Sequence, residues 1–101
     1  MRIMAIKLAV AVVFHGSAAL AQDADRGEKL AARWCAGCHT IGTPAAKARR
    51  ATPFEQIAEK PGVSSKVIAD FLMLPHSTMP DLPIRRSEAE DIAAFIMQMK
   101  K

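Results

Sequence analysis

The chain's two cysteines, Cys35 and Cys38, stand three positions apart, and His39 follows the second directly. Any fold must therefore present two thiols and an imidazole around one tight turn, with no further cysteine to pair elsewhere. A disulfide across two intervening residues is strained. A thioredoxin-like dithiol wants a βαβ setting, and no β-rich run surrounds this pair. Zinc wants four ligands, commonly a second Cys/His pair at close spacing, whereas His76 stands alone far downstream.

What suits the run Trp34-Cys35-Ala36-Gly37-Cys38-His39 is attachment of one covalent haem c through C-x-x-C-H. Cysteines three apart near the end of a helical turn can reach two vinyl groups as thioethers. The histidine then falls over the ring face, where a ring nitrogen can bind iron. Gly37 between them keeps bulk away from the porphyrin.

The first residues point to export. Met1 to Lys7 carries Arg2 and Lys7, Leu8 to Phe14 is uninterrupted apolar sequence, and Ala19-Leu20-Ala21 is a small-x-small site. This is the pattern of a signal peptide cleaved after Ala21, because the apolar run falls short of the ~20 residues that span a bilayer core. Residues 1–21 are thus expected to be leader and 22–101 a single domain in the periplasm, with no stable membrane insertion after cleavage. Removing the leader leaves 12 basic against 10 acidic side chains. With no long basic run and few aromatics, nucleic acid is not expected as a partner. A weakly positive patch for an acidic protein remains open. A domain this short has a thin core and often needs a staple such as a cofactor.

An iron held by one histidine has a sixth position to fill or leave open. Pro75-His76-Ser77-Thr78-Met79-Pro80-Asp81-Leu82-Pro83 is a proline-framed stretch that excludes helix and aims its side chains. Met73, Met97 and Met99 read as helix-borne core filler. Met79, in a stiff polar loop, is the favoured axial ligand, with His76 or an open site as alternatives.

Elsewhere the pattern is helical. Asp23 to Trp34 repeats Gly27, Leu30, Ala31 and Trp34 on one face, with Asp23 or Asp25 as cap. Thr40 to Pro53 reads as loop, and Arg49 or Arg50 is a candidate partner for a haem propionate. Phe54 to Lys60 predicts a short helix ended by Pro61-Gly62. Ser64 caps another over Ser65 to Leu74, with Val67, Ile68, Phe71, Leu72 and Leu74 on its apolar side. Ser87-Glu88-Ala89-Glu90 predicts a capping box, followed by the stripe Ile92, Phe95, Ile96 and Met99 and closed by Lys100-Lys101. The expected fold class is all-α, with three to five short helices.

These residues resemble the class I, or mitochondrial-type, cytochromes c, and among them a short bacterial monohaem subgroup. The resemblance spans essentially all of 22–101. It rests on C-x-x-C-H after an N-terminal helix, Met79-Pro80 about forty residues on, and Asp91-Ile92-Ala93-Ala94-Phe95-Ile96 in the last helix. It implies that the first and last helices cross at a close glycine contact, mapping to Gly27 and Leu30 against Ile92, Phe95 and Ile96. It also implies that a prolyl carbonyl, from Pro53 or Pro44, orients the His39 imidazole. Ala31 departs from the family by replacing an aromatic, a volume that Trp34 can partly fill. There is no tyrosine to hold a propionate.

The expected function is single-electron transfer without catalysis, using redox protein partners that dock at the exposed haem edge beside Cys35 and Cys38. Two rivals keep the haem. One is a subunit of a periplasmic oxidoreductase complex. The other is a peroxidase or gas sensor with an open sixth position, where His76 would be the distal group. A further expectation is an apolar cavity between His39 and Met79.

Overall fold

Asp23 sets where the first helix begins. In the computed structural model, which describes residues 9–13, 22–42, 50–74 and 79–101, its carboxylate accepts the Arg26 backbone N–H at 3.0 Å. That bond satisfies a donor that a helix's first turn leaves unpaired and holds the Asp23 carboxyl below its ordinary range. Helix α1 (Ala24–Trp34) follows, burying Gly27 and Ala31. Helix α2 (Phe54–Ala58) starts directly after Pro53, whose carbonyl accepts the N–H groups of Gln56 and Ile57 at 3.0 and 3.1 Å. Gly62 adopts φ +77° in the turn that follows, a left-handed conformation that disfavours other residues. Helix α3 (Ser65–Met73) is capped by Ser64, whose hydroxyl accepts the Val67 N–H at 3.1 Å.

Helix α4 (Arg86–Met97) is the spine. It buries Ala89, Ile92, Ala93, Phe95 and Ile96, and α1, α2 and α3 all pack on it. The fold is all-α, with no strand among the described residues. The start of α4 corrects the expected capping box. The N-cap is Arg85 rather than Ser87, and the Glu88 carboxylate accepts the Arg85 backbone N–H at 2.9 Å. The physical reason is Ile84, which is buried in the same core as Ala89. These are the two positions of a hydrophobic staple, so the helix begins as soon as Ile84 is in place. The far end is also shorter than expected. Met99 lies in the turn beyond the helix, partly buried against the core.

The crossing of α1 and α4 is a backbone contact. A Cβ built on Gly27 would lie 1.9 Å from the Asp91 carbonyl oxygen. Only glycine allows this approach, and the neighbours are Asp91 and Ile92, at one edge of the expected set. Asp91, only 4% exposed, accepts the Asp23 backbone N–H at 2.8 Å and the Arg26 Nε–H at 2.7 Å. It ties the start of α1 to the middle of α4. On the other side of α4, Arg86 bridges to Asp70 of α3 at 2.5 Å, and Lys66 pairs with the same carboxylate. The expected apolar side of α3 divides in two. Ile68 and Ala69 are buried, whereas Val67 and Phe71 are about half exposed and Leu74 lies beyond the helix end.

Residues 9–13 form no regular secondary structure, and Val10, Val12 and Val13 are exposed. No helix among the described residues is long and apolar enough to cross a membrane. The cleavage position after Ala21 lies outside the described residues.

Candidate functional site

The C-terminus of α1 winds directly into the cysteine turn. Cys35 N–H and Ala36 N–H both reach the Ala31 carbonyl, at 2.8 and 3.0 Å, and Cys38 and His39 N–H both reach that of Cys35, at 3.1 and 2.9 Å. These bonds place Cys35 in the core and leave Cys38 exposed, both as free thiols. Burial pushes the Cys35 thiol up to about 11.

Two backbone hydrogen bonds then lay residues 51–54 alongside 38–40. Ala51 N–H reaches the Cys38 carbonyl at 3.1 Å, and Phe54 N–H reaches that of Thr40 at 3.0 Å. Thr52 lies between those two anchors, and its carbonyl stands 2.7 Å from His39 Nδ1. A carbonyl can only accept, so Nδ1 carries the proton and Nε2 of the neutral ring keeps its lone pair. The Phe54 ring supports the imidazole at 5.2 Å between centroids, tilted by 47°. This corrects the expected prolyl acceptor. Pro53 spends its carbonyl on the first turn of α2, so the residue before it serves His39. Pro44 lies outside the described residues.

Beside His39 is a cavity of about 250 Å³. Cys35, His39 and Met79 line it together with Phe54, Ile57, Val63, Ile68, Ile92 and Ile96, and with Val67, Phe71 and Leu72 from α3. The half-exposed face of α3 is thus its wall toward the cavity. The expected apolar space between His39 and Met79 is present. Cys38 does not line it. His76 and Arg49 lie outside the described residues, and Arg50 is exposed and not part of the lining. No group of three or more His, Cys, Asp or Glu side chains suited to a metal ion occurs among the described residues, which leaves the zinc alternative without a ligand set there.

No family model matches this sequence, and no solved structure matches it. A curated relative does. Cytochrome c-552 of Bradyrhizobium diazoefficiens is 45% identical over 96 residues, spanning 94% of this chain and 92% of that protein. This chain belongs to the class I cytochromes c.

The haem c that a class I cytochrome c implies can be tested against these residues. A porphyrin needs apolar walls, and the cavity lining is aliphatic and aromatic apart from Cys35, His39, Lys60 and Met79. It needs an imidazole that carries its proton on Nδ1 and leaves Nε2 for the iron, the tautomer that the Thr52 carbonyl selects. It would also accept a soft donor such as a thioether, and Met79 brings one to the lining. The residues of this cytochrome fit the group.

Three contributors escaped sequence reasoning. Asp91 left a trace, since it stands four before Phe95 on the apolar stripe of α4, where a carboxylate is out of place. Thr52 and Lys60 left none. A backbone acceptor carries no side-chain signature, and a lysine next to a helix-ending Pro-Gly reads as surface.

Proposed function

We propose that this chain is an exported single-electron carrier, with Cys35 and Cys38 holding one haem c as thioethers and His39 and Met79 as its axial ligands. The observation that carries this reading is the apolar cavity bounded by Cys35, His39 and Met79, with the imidazole already oriented. The chain is an electron-transfer protein, not an enzyme. The bound haem supplies a ferric/ferrous couple. The residues do the rest. The Thr52 carbonyl fixes the His39 tautomer and makes Nε2 a better donor. The Met79 thioether is a weak donor that favours the reduced state and raises the potential. The α3 and α4 side chains keep water from the ring face, which disfavours the extra charge of the oxidised state.

Its partners are redox proteins, which dock where the exposed Cys38 marks an edge of the site. The leader is removed after Ala21, leaving residues 22–101 as the monohaem domain in the periplasm. The test is the absorption spectrum of the purified protein, oxidised and reduced, with and without carbon monoxide. A thioether-linked haem with the weak far-red iron–methionine band, unmoved by carbon monoxide, is the expected result. A haem that lacks the band and shifts with the gas would overturn Met79 as ligand. No haem would overturn the whole reading.

A further inference from the structure

Of the residues that line the cavity, Lys60 is the one lysine or arginine, and no aspartate or glutamate accompanies it. Its backbone is fixed. Its N–H reaches the Ile57 carbonyl at 3.2 Å, its carbonyl accepts the Val63 N–H at 3.2 Å, and Gly62 closes the turn between. The residue as a whole is exposed, and an amphipathic side chain of this kind can lay its stem along apolar surface while its charge stays at the water-facing edge.

Four cations elsewhere in the fold are already engaged. Arg26, Lys66, Arg85 and Arg86 each have a carboxylate partner. Lys60 has no ion pair among the described residues. The adjacent Glu59 is occupied, since its carboxylate accepts the Lys101 backbone N–H at 2.6 Å. An apolar cavity with one unpaired cation at its rim is complementary to a ligand that is apolar except for a carboxylate at one edge. A haem is such a ligand. A carboxylate drawn toward a low-dielectric site is costly unless it meets a cation or a hydrogen-bond donor.

Resting on the haem reading above, we propose that Lys60 Nζ binds one haem propionate by a charge-assisted hydrogen bond. Lys60 is then a positioning residue. It fixes the tilt of the ring between His39 and Met79, and by neutralising a nearby negative charge it raises the reduction potential.

The experiment uses the haem-loaded protein and its K60R, K60M and K60E variants. Midpoint potentials are measured by redox titration and the far-red band by absorption, and a crystal structure of the loaded parent gives the Lys60 distance. The expected result is a potential near the parent's for K60R, lower for K60M and lowest for K60E, with the far-red band kept throughout. In the crystal, Nζ should lie within hydrogen-bond distance, about 2.7–3.2 Å, of a propionate oxygen. Unchanged potentials in K60M and K60E overturn the proposal. If those variants fail to load haem, the parent crystal decides, and an Nζ beyond about 3.5 Å from both propionates overturns it. A parent without haem overturns the function proposed above and this inference with it, whereas a normal haem spectrum with indifferent Lys60 variants overturns this inference alone.

Discussion

Met79 and Cys35 show how one side chain's surroundings decide its chemistry. Met79 lines the cavity, and among the described residues nothing else in the lining offers a thioether. Met79→Ala is therefore expected to lower the reduction potential and to let carbon monoxide bind the reduced protein, both read by spectroscopic titration. Unchanged behaviour on both counts would remove Met79 from the ligand set. At Cys35, burial raises the thiol to about 11, so at pH 8 only about one molecule in a thousand carries the thiolate that an alkylating reagent attacks. Cys38 is exposed. In chain prepared without haem, iodoacetamide should label Cys38 well ahead of Cys35 in a peptide-mapped time course. Equal labelling would mean that Cys35 is not buried before attachment. The C-x-x-C-H spacing made both cysteines legible as a pair, but the difference between them is tertiary, since Cys35 joins the buried core and Cys38 stays outside it.

Among the elements, the meeting of α1 and α4 is the most demanding contact. Gly27→Ala would drive a methyl group into the Asp91 carbonyl, backbone against backbone, with no flexible side chain to give way. The cost should reach the top of the overpacking range, about 3 kcal/mol, or exceed it, and a urea titration of the loaded protein measures it. A loss under about 1 kcal/mol would show that the helices can slide apart freely. Asp91→Ala removes the acceptor of the Asp23 N–H and the Arg26 guanidinium. It should cost about 2 kcal/mol by the same titration, because hydrogen bonds to a charged group are the stronger kind. The helices themselves were readable from periodicity and caps. Their exact starts were not always so, because the burial of Ile84 overrode the better capping residue Ser87 in setting where α4 begins.

For the molecule as a whole, a cofactor seated beside His39 would complete the core. A cavity of about 250 Å³ leaves the apolar side chains around it without packing partners on one side, a serious loss for a small domain of marginal stability. A chain carrying Cys35→Ser and Cys38→Ser, purified free of haem, is expected to lose its near-ultraviolet circular dichroism and cooperative unfolding. A sharp, native-like transition would refute that. Acid should also weaken the fold. The Asp23 carboxyl is lowered by the Arg26 N–H, Asp70 by Lys66 and Arg86, and Glu88 by the Arg85 N–H. A carboxyl lowered on folding stabilises the protein above its unfolded value, 3.8 for Asp and 4.5 for Glu, and that contribution disappears as pH falls through the lower folded value. Urea midpoints should hold steady above about pH 5 and drop below about pH 4, with Asp70→Asn showing a shallower drop. A midpoint that rises on acidification would reverse the sign.

The sequence by itself determined the tight turn that carries Cys35, Cys38 and His39, the all-α class, the caps at Asp23 and Ser64, and the glycine needed at the first helix. Each is encoded within a few residues, by spacing or by the hydrogen-bonding habits of one side chain. Tertiary structure decided which carbonyl orients His39, which carboxylate joins α1 to α4, and which cation stands at the cavity. Thr52, Asp91 and Lys60 acquire those roles from segments distant in the chain. A backbone oxygen, a helical aspartate and a turn lysine acquire such work only when packing brings their partners within reach.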